Sequence, residues 1–353
     1  MRDRLRPHLA PMAALLALAL LFLFLYVRRQ PAEPVSPEPP DAGPPSAASF
    51  TVPSAAEALA LRGGPDAGVV RSIEGAERTI DMAMYDLNLW SVRDALLQAD
   101  ARGVDVRLVM ERDNMGAPVV EALAAAGIPI VGDTDEGLMH DKFTVIDGQG
   151  VWTGSMNLTV SDAYYNNNNM LYLMSDEVAA AYTAEFEEMF VGGRFGPLSP
   201  PGEGLRTSDG RLEVYFAPDD GVAARLIELL ATAESSVEVM AFAFTSDPIA
   251  QAILERAAAG VQVRAVFDED QAANLGSQYE NLLEAGLDVR LDGSPDKMHH
   301  KVIVIDGAIV VTGSYNFSRS AEEFNDENLV ILYDRDLALA YEAEFERVFQ
   351  EAR

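Results

Sequence analysis

One short pattern occurs twice in this chain, in phase, and it restricts the fold more than any other feature. Residues 139–169 read MHDKFTVIDGQGVWTGSMNLTVSDAYYNNNN, and residues 298–328 read MHHKVIVIDGAIVVTGSYNFSRSAEEFNDEN. Each contains His-x-Lys-x4-Asp followed by Gly-Ser-x-Asn. The first copy supplies His140, Lys142, Asp147, Gly154, Ser155 and Asn157; the second supplies His299, Lys301, Asp306, Gly313, Ser314 and Asn316. A constant shift of 159 residues (299 − 140) overlays them. Two copies make an internal duplication and not a solenoid.

The flanks repeat as well. Ala76-Glu77 and the strand-like run after it match Ala233-Glu234 and its run at a shift of 157 (233 − 76), and Ala181–Phe186 matches Ala340–Phe345 at 159 (340 − 181). Alternation predicts a strand over Thr79–Tyr85, and further strands over 104–110, 128–131 and 140–146. Ser91 and Asp94 read as a capping box opening a helix through Ala101. A helix over Pro118–Ala126 is expected to end at Gly127. The turn Asp147-Gly148 leads into Val151-Trp152-Thr153, and 176–190 reads as an amphipathic closing helix. Strands alternating with helices imply an α/β fold with helices on both sheet faces.

Residue economy separates chemistry from scaffold. The chain has four histidines (His8, His140, His299, His300) and three lysines (Lys142, Lys297, Lys301). Two of each fall at matching motif positions. His300 alternates away from His299 and reads as packing or surface. Lys297 reads as a solvated lysine, with steering of an anionic substrate as the other option. There are no cysteines, which excludes disulfides and thiolate metal sites. The net charge of −30 repels phosphate backbones and anionic lipid headgroups at long range, and argues against non-specific nucleic-acid binding.

Residues 9–27 form an apolar run with arginines on both sides, long enough for one span. It reads as an uncleaved anchor, with a cleaved signal peptide as the rival. The arginine balance slightly favours a cytoplasmic N-terminus and an extracytoplasmic (periplasmic) catalytic part. Eight prolines between 31 and 53 read as an extended spacer. The expected organisation is an anchor at 1–29, a Pro-rich linker at 30–53, lobes at 54–195 and 213–353, and an inter-lobe linker at 196–212.

The duplicated His-x-Lys-x4-Asp resembles the signature of the phospholipase D superfamily, and the resemblance extends from about Phe50 to the C-terminus. It implies two α/β/α-sandwich lobes related by a pseudo-two-fold, with the active site between them. Residues i and i+2 of a strand share a face, so His140 projects with Lys142 and His299 with Lys301. Lobes facing each other would gather two imidazoles and two ammonium groups around one phosphodiester. The lysines would neutralise non-bridging oxygens, and Asn157 and Asn316 would donate to them. Gly154 and Gly313 would allow close backbone approach. Ser155 and Ser314 are divided between phosphate contact and loop hydrogen bonding. Asp147 and Asp306 read as structural.

One imidazole would attack phosphorus, and the other would act as acid and then base. This chemistry calls for no metal and no cofactor. In the family, the position of Glu327, matched by Asn168 in the first copy, bonds the histidine of the opposite half. Carried over, Glu327 orients His140 and Asn168 orients His299, which makes His140 the nucleophile. The expectation is a phosphoric diester hydrolase acting on a phospholipid at a membrane, as a monomer of two pseudo-symmetric lobes. An endonuclease, a cardiolipin synthase-like transferase and a non-catalytic module are the rivals.

Overall fold

The two copies of the motif build two sheets of the same topology. The structure, a computed structural model, describes residues 64–134, 136–197 and 202–353. The apolar run at 9–27 and the proline-rich stretch lie outside these residues. Among the described residues no helix is long and apolar enough to cross a membrane.

In the first lobe β1 (Thr79–Met84), β2 (Asp105–Met110) and β3 (Ile130–Gly132) run parallel, as strands joined by helical crossovers must. β4 (Lys142–Ile146) lies antiparallel to β1 and continues through β5 (Gly150–Gly154) to β6 (Met170–Met174). The order is β3-β2-β1-β4-β5-β6. Between the repeats, β7 (Leu205–Arg206) and β8 (Leu212–Ala217) pair with each other. The second lobe repeats the pattern with β9 (Ser236–Ala241), β10 (Gln262–Phe267), β11 (Asp288–Leu291), β12 (Lys301–Ile305), β13 (Ile309–Gly313) and β14 (Glu327–Tyr333). Its sheet is wider, because β8 adds antiparallel to β14 and carries β7 with it. Among the described residues the first lobe shows no counterpart of β8, and the motif copies do not include this edge.

Both sheet faces are covered, which explains why β4 and β12 are buried at every position. The helices Trp90–Ala101 and Pro118–Ala126 cover one face of the first sheet, and Asp176–Phe190 covers the other. Pro118–Ala126 ends at Gly127 in the left-handed conformation, and Asp176–Phe190 has the expected bounds. The capping box at Ser91 does not form. That helix starts at Trp90 with no side-chain cap, and Ser91 Oγ donates to Asp66 instead.

A central hydrophobic cluster joins the lobes. It combines Tyr182 and Phe186 from one closing helix with Tyr341 and Phe345 from the other, Arg335–Glu351, and includes Val214 of β8. Beneath it, two asparagines lock the seam reciprocally. Asn328 Oδ1 accepts from Thr153 Oγ1 (2.6 Å) and Tyr182 OH (3.2 Å), and Nδ2 donates to Asp141 Oδ1 (2.7 Å). Asn169 Oδ1 accepts from Thr312 Oγ1 (2.9 Å) and Tyr341 OH (3.0 Å), and Nδ2 lies 3.1 Å from His300 Nδ1. His300 is therefore neither a surface residue nor mere packing. It is buried, bonded across the seam, and held on its other side by Glu344 at 3.2 Å.

The motif aspartates tie each hairpin to the sheet. Asp147 and Asp306 both adopt φ 54°, the left-handed turn that Asp tolerates. The Asp147 carboxylate accepts from the backbone N–H groups of Glu77, Arg78 and Thr79 at 3.0, 2.7 and 3.0 Å. Asp306 does the same for Glu234, Ser235 and Ser236 at 2.9, 2.7 and 2.9 Å. Partial burial would raise the Asp147 pKa, and the three donors more than offset it and hold the group below the usual range.

Candidate active site

Each motif histidine is placed by the opposite lobe. The strand expected over 140–146 begins only at Lys142, because residues 139–140 pair across the seam. His140 N–H donates to Asp326 O (2.9 Å), and Asp326 N–H returns a bond to Leu138 O (2.9 Å). His299 N–H donates to Asn167 O (2.9 Å) in the mirror arrangement. Two short inter-lobe bridges thus set both imidazoles at the seam.

The ring nitrogens are fixed in the same way. His140 Nδ1 lies 2.7 Å from Glu327 Oε2, and Glu327 is fully buried at the start of β14. His299 Nδ1 lies 2.8 Å from Asn168 Oδ1. Both partners are oxygens that can only accept, so each Nδ1 carries the proton and each Nε2 is left with the lone pair. The lobes therefore differ in charge at this point, with a carboxylate behind His140 and an amide behind His299. A ring edge supports each imidazole: Tyr85 against His140 at 4.8 Å and Phe242 against His299 at 4.6 Å between centroids.

Lys142 and Lys301 are buried beneath the histidines. Lys142 Nζ donates to His140 O (2.6 Å) and Lys301 Nζ to His299 O (3.0 Å). The same ammonium groups sit over Tyr85 and Phe242, 5.0 and 4.9 Å from the ring centroids. Burial pulls the Lys142 pKa down to about 8 and that of Lys301 to about 7, with Lys142 adding to the second shift. Burial also lowers His140 to about 4, against the opposing charge of Glu327, and holds His299 well below its ordinary value. Two neutral imidazoles flanked by two low-pKa lysines form a site that an anion would stabilise.

The remaining motif residues divide. Ser155 Oγ donates to Asn168 Oδ1 (2.9 Å) and accepts from Asn169 N–H (3.1 Å), while Ser314 Oγ accepts from Asn328 N–H (2.9 Å). Both serines are buried in loop hydrogen bonds. Gly154 and Gly313 have φ 145° and 148°, and a Cβ there would fall 2.4 Å from Asn169 O or 2.2 Å from Asn328 O. The close approach they permit is that of the neighbouring strand. Asn157 Nδ2 donates to Asp162 Oδ2 (2.7 Å), leaving its second amide hydrogen for another acceptor. The buried Oδ1 atoms of Asn157 and Asn316 have no partner. Lys297 is half-exposed and paired with Asp270, so it is a surface ion pair.

Sequence reasoning missed Tyr85, Phe242 and Asp162; the runs 166–169 and 325–328, which align at the shift of 159, mark the seam asparagines as part of the site. The aromatic pair had a usable signal: it repeats at the same shift of 157 (242 − 85) as the strand preceding it.

Two lobes of like topology, each completing the other's histidine, define a duplicated α/β class with one composite site. The chain belongs to the family described as cardiolipin synthase, PLD-like domain, which it matches twice, over residues 69–190 and 226–349. Over 132 residues it is 43% identical to a mitochondrial cardiolipin hydrolase of Xenopus tropicalis, covering 37% of this chain and 63% of that protein. Over 134 residues it is 33% identical to a phospholipase D of Rickettsia prowazekii (strain Madrid E), covering 38% and 65%. The chain thus spans less than two thirds of the length of these curated relatives. Among solved structures, a phosphatidylserine synthase from Haemophilus influenzae Rd KW20 superposes with a TM-score of 0.63 at 14% identity, covering 82% of this chain and 84% of that one. At that identity the likeness concerns the fold alone, and it extends over both lobes.

Proposed function

We propose that this protein is a phosphodiesterase of the phospholipase D type that releases a phospholipid headgroup through a phosphohistidine, without a metal. The observation that carries the reading is the paired Nδ1 bonding of His140 and His299 across the seam, which leaves both Nε2 atoms with lone pairs. His140 Nε2 attacks phosphorus. The bond to the headgroup oxygen breaks as His299, protonated once substrate is bound, donates to it. Water then attacks phosphorus, giving its proton to His299, and the P–N bond breaks. Lys142, Lys301, Asn157 and Asn316 stabilise the charge on the non-bridging oxygens. Glu327 favours the imidazolium-like charge that His140 develops.

Lipid is the preferred substrate class because the sequence places an apolar run and a proline spacer before the lobes, and because its charge of −30 opposes nucleic acid. In this reading 1–29 anchors the chain, 30–53 is the spacer, and the lobes at 54–195 and 213–353 stand outside the cytoplasm. The names of the hydrolase and phospholipase D relatives support the same class.

The test offers the full chain, with excess chelator, phospholipid vesicles and single-stranded DNA in parallel. Headgroup release alone is expected. DNA cleavage without headgroup release would replace this reading with a nuclease, and headgroup exchange in preference to hydrolysis would make it a transferase.

A bound anion should also be pH-dependent. Sulfate keeps its charge from pH 6 to 9, whereas Lys301 and Lys142 lose theirs through about 7 and about 8. Both lysine values lie below the unfolded value near 10.5. The unfolded chain therefore holds more protons between about pH 7 and pH 10, and the lysines add stability to the anion-free protein as pH rises there. The anion's contribution runs the other way: sulfate should raise the melting temperature clearly at pH 6 and little at pH 9. Equal shifts at both values would count against lysines that hold the anion.

A further inference from the structure

The two lobes differ at a second position, and the differences are complementary. Asn168 stands where the second lobe has Glu327, and Asp162 stands where it has Ala321 (327 − 168 and 321 − 162 are both 159). The carboxylate absent from the strand edge of the first lobe is present on the short helix before it, Val160–Tyr164.

The geometry brings that carboxylate to the same imidazole. Asp162 Oδ2 lies 3.7 Å from His299 Nδ1, behind the Asn168 amide that bonds the nitrogen directly. The side chain is buried and held at both oxygens. Oδ2 accepts from Asn157 N–H and Nδ2, each at 2.7 Å, and Oδ1 accepts from Asn166 Nδ2 at 2.6 Å. The Asp162 carbonyl accepts from Asn168 Nδ2 at 3.1 Å, which turns the Asn168 oxygen toward His299. One residue therefore orients a motif asparagine, the amide partner of His299, and the loop that pairs with Lys297 N–H through Asn166 Oδ1. In the second lobe Ala321 can make none of these side-chain bonds.

The charges around His299 give this placement a chemical purpose. Burial disfavours its protonation most, and the charges of Lys301, Lys142, His140 and His300 add to that. Asp162 is the carboxylate set against them at the imidazole itself, and it also favours the charged forms of Lys142 and Lys301. A general acid must carry a proton when the leaving oxygen departs, and a nearby carboxylate favours that state.

We infer that Asp162 is the positioning residue of His299, doing from the helix what Glu327 does for His140 from the strand. This rests on the reading of His299 as the general acid and base. It makes the site one with two carboxylates, reached by different routes, where motif comparison alone finds one.

The test uses the full chain and three variants: Asp162→Asn, Asp162→Ala and the double change Asp162→Ala with Asn168→Glu. The double variant rebuilds in the first lobe the Ala321/Glu327 arrangement of the second. Two readouts are taken on protein whose melting shows it folded. The first is the NMR titration of the histidine rings with saturating sulfate, which requires no turnover. Asp162→Asn should lower the His299 pKa and leave His140 unmoved. The second is kcat and its pH profile on a phosphodiester substrate. Asp162→Asn should lower kcat by about tenfold or more with KM little changed, and move the basic limb of the profile to lower pH. The double variant should recover both readouts relative to Asp162→Ala. An unmoved His299 titration in folded Asp162→Asn would overturn the assignment, as would a double variant no better than Asp162→Ala. If no phosphodiester is turned over by the parent, the reading of the function fails, while the titration still decides whether Asp162 acts on His299.

Discussion

Alanine in place of His140 should reduce phosphodiester hydrolysis by at least about 10⁴-fold, the scale on which loss of an enzymatic nucleophile is felt. Nothing else at the seam can take its part. His299 Nδ1 is committed to Asn168, and its Nε2 faces the leaving group in the proposed geometry. Lys142 and Lys301 are buried and donate to backbone carbonyls. The variant also strips Glu327 Oε2 of its 2.7 Å partner inside a fully buried site. Leaving a buried acceptor unsatisfied costs about 1–3 kcal/mol. Melting measurements should therefore show a folded but less stable protein, and activity should be lost far beyond what that destabilisation explains. Residual activity within tenfold of the parent would remove His140 from the nucleophile's role.

The second large effect is expected from Glu327→Gln. The amide keeps an oxygen able to accept from His140 Nδ1, so packing and tautomer survive, but the negative charge is gone. His140 already sits near 4 because burial outweighs the attraction of Glu327. Without that attraction the developing positive charge on the imidazole is uncompensated during attack. A loss of roughly 10³-fold in kcat is expected, comparable in kind to neutralising the carboxylate behind a catalytic histidine. KM should change little, because the carboxylate faces the imidazole and not the substrate. Kinetics on the purified variant check both numbers, and an unchanged kcat would mean that the Glu327–His140 bond only holds the fold.

Much of the architecture was legible before the structure, and for definite reasons. The constant offset between the copies exposed the duplication. Glycine at Gly127 and the apolar spacing of 176–190 defined helices whose bounds agree with the structure. Apart from the Tyr85/Phe242 pair, which repeats at the strand's own shift, what escaped notice had no local signal. Ser91 has the spacing of a capping box, but Asp66 competes for its hydroxyl from a distant turn. His140 was expected on the strand, whereas its backbone pairs with Asp326 in the other lobe and the strand begins only at Lys142. β8 lies outside the two motif copies, so overlaying them does not reach it. Asp162 belongs to no motif, and its sequence context does not announce its burial, its bonds to Asn157 and Asn166, or its closeness to His299.

The seam gives these particulars a common cause. Asn169 and Asn328 each bond two hydroxyls from the opposite side, and each stands beside the residue that orients a histidine. Lobe docking and site assembly are therefore one event, and variants that loosen the seam should lose activity together with stability.

A covalent intermediate on His140 can be trapped directly. Full chain turning over a short-chain phospholipid would be quenched within milliseconds, digested, and its histidine peptides weighed. An adduct of the phosphatidyl group is expected on the peptide carrying His140, absent from His140→Ala. An adduct on His299 instead, or steady headgroup release with no adduct on either histidine, would contradict that expectation.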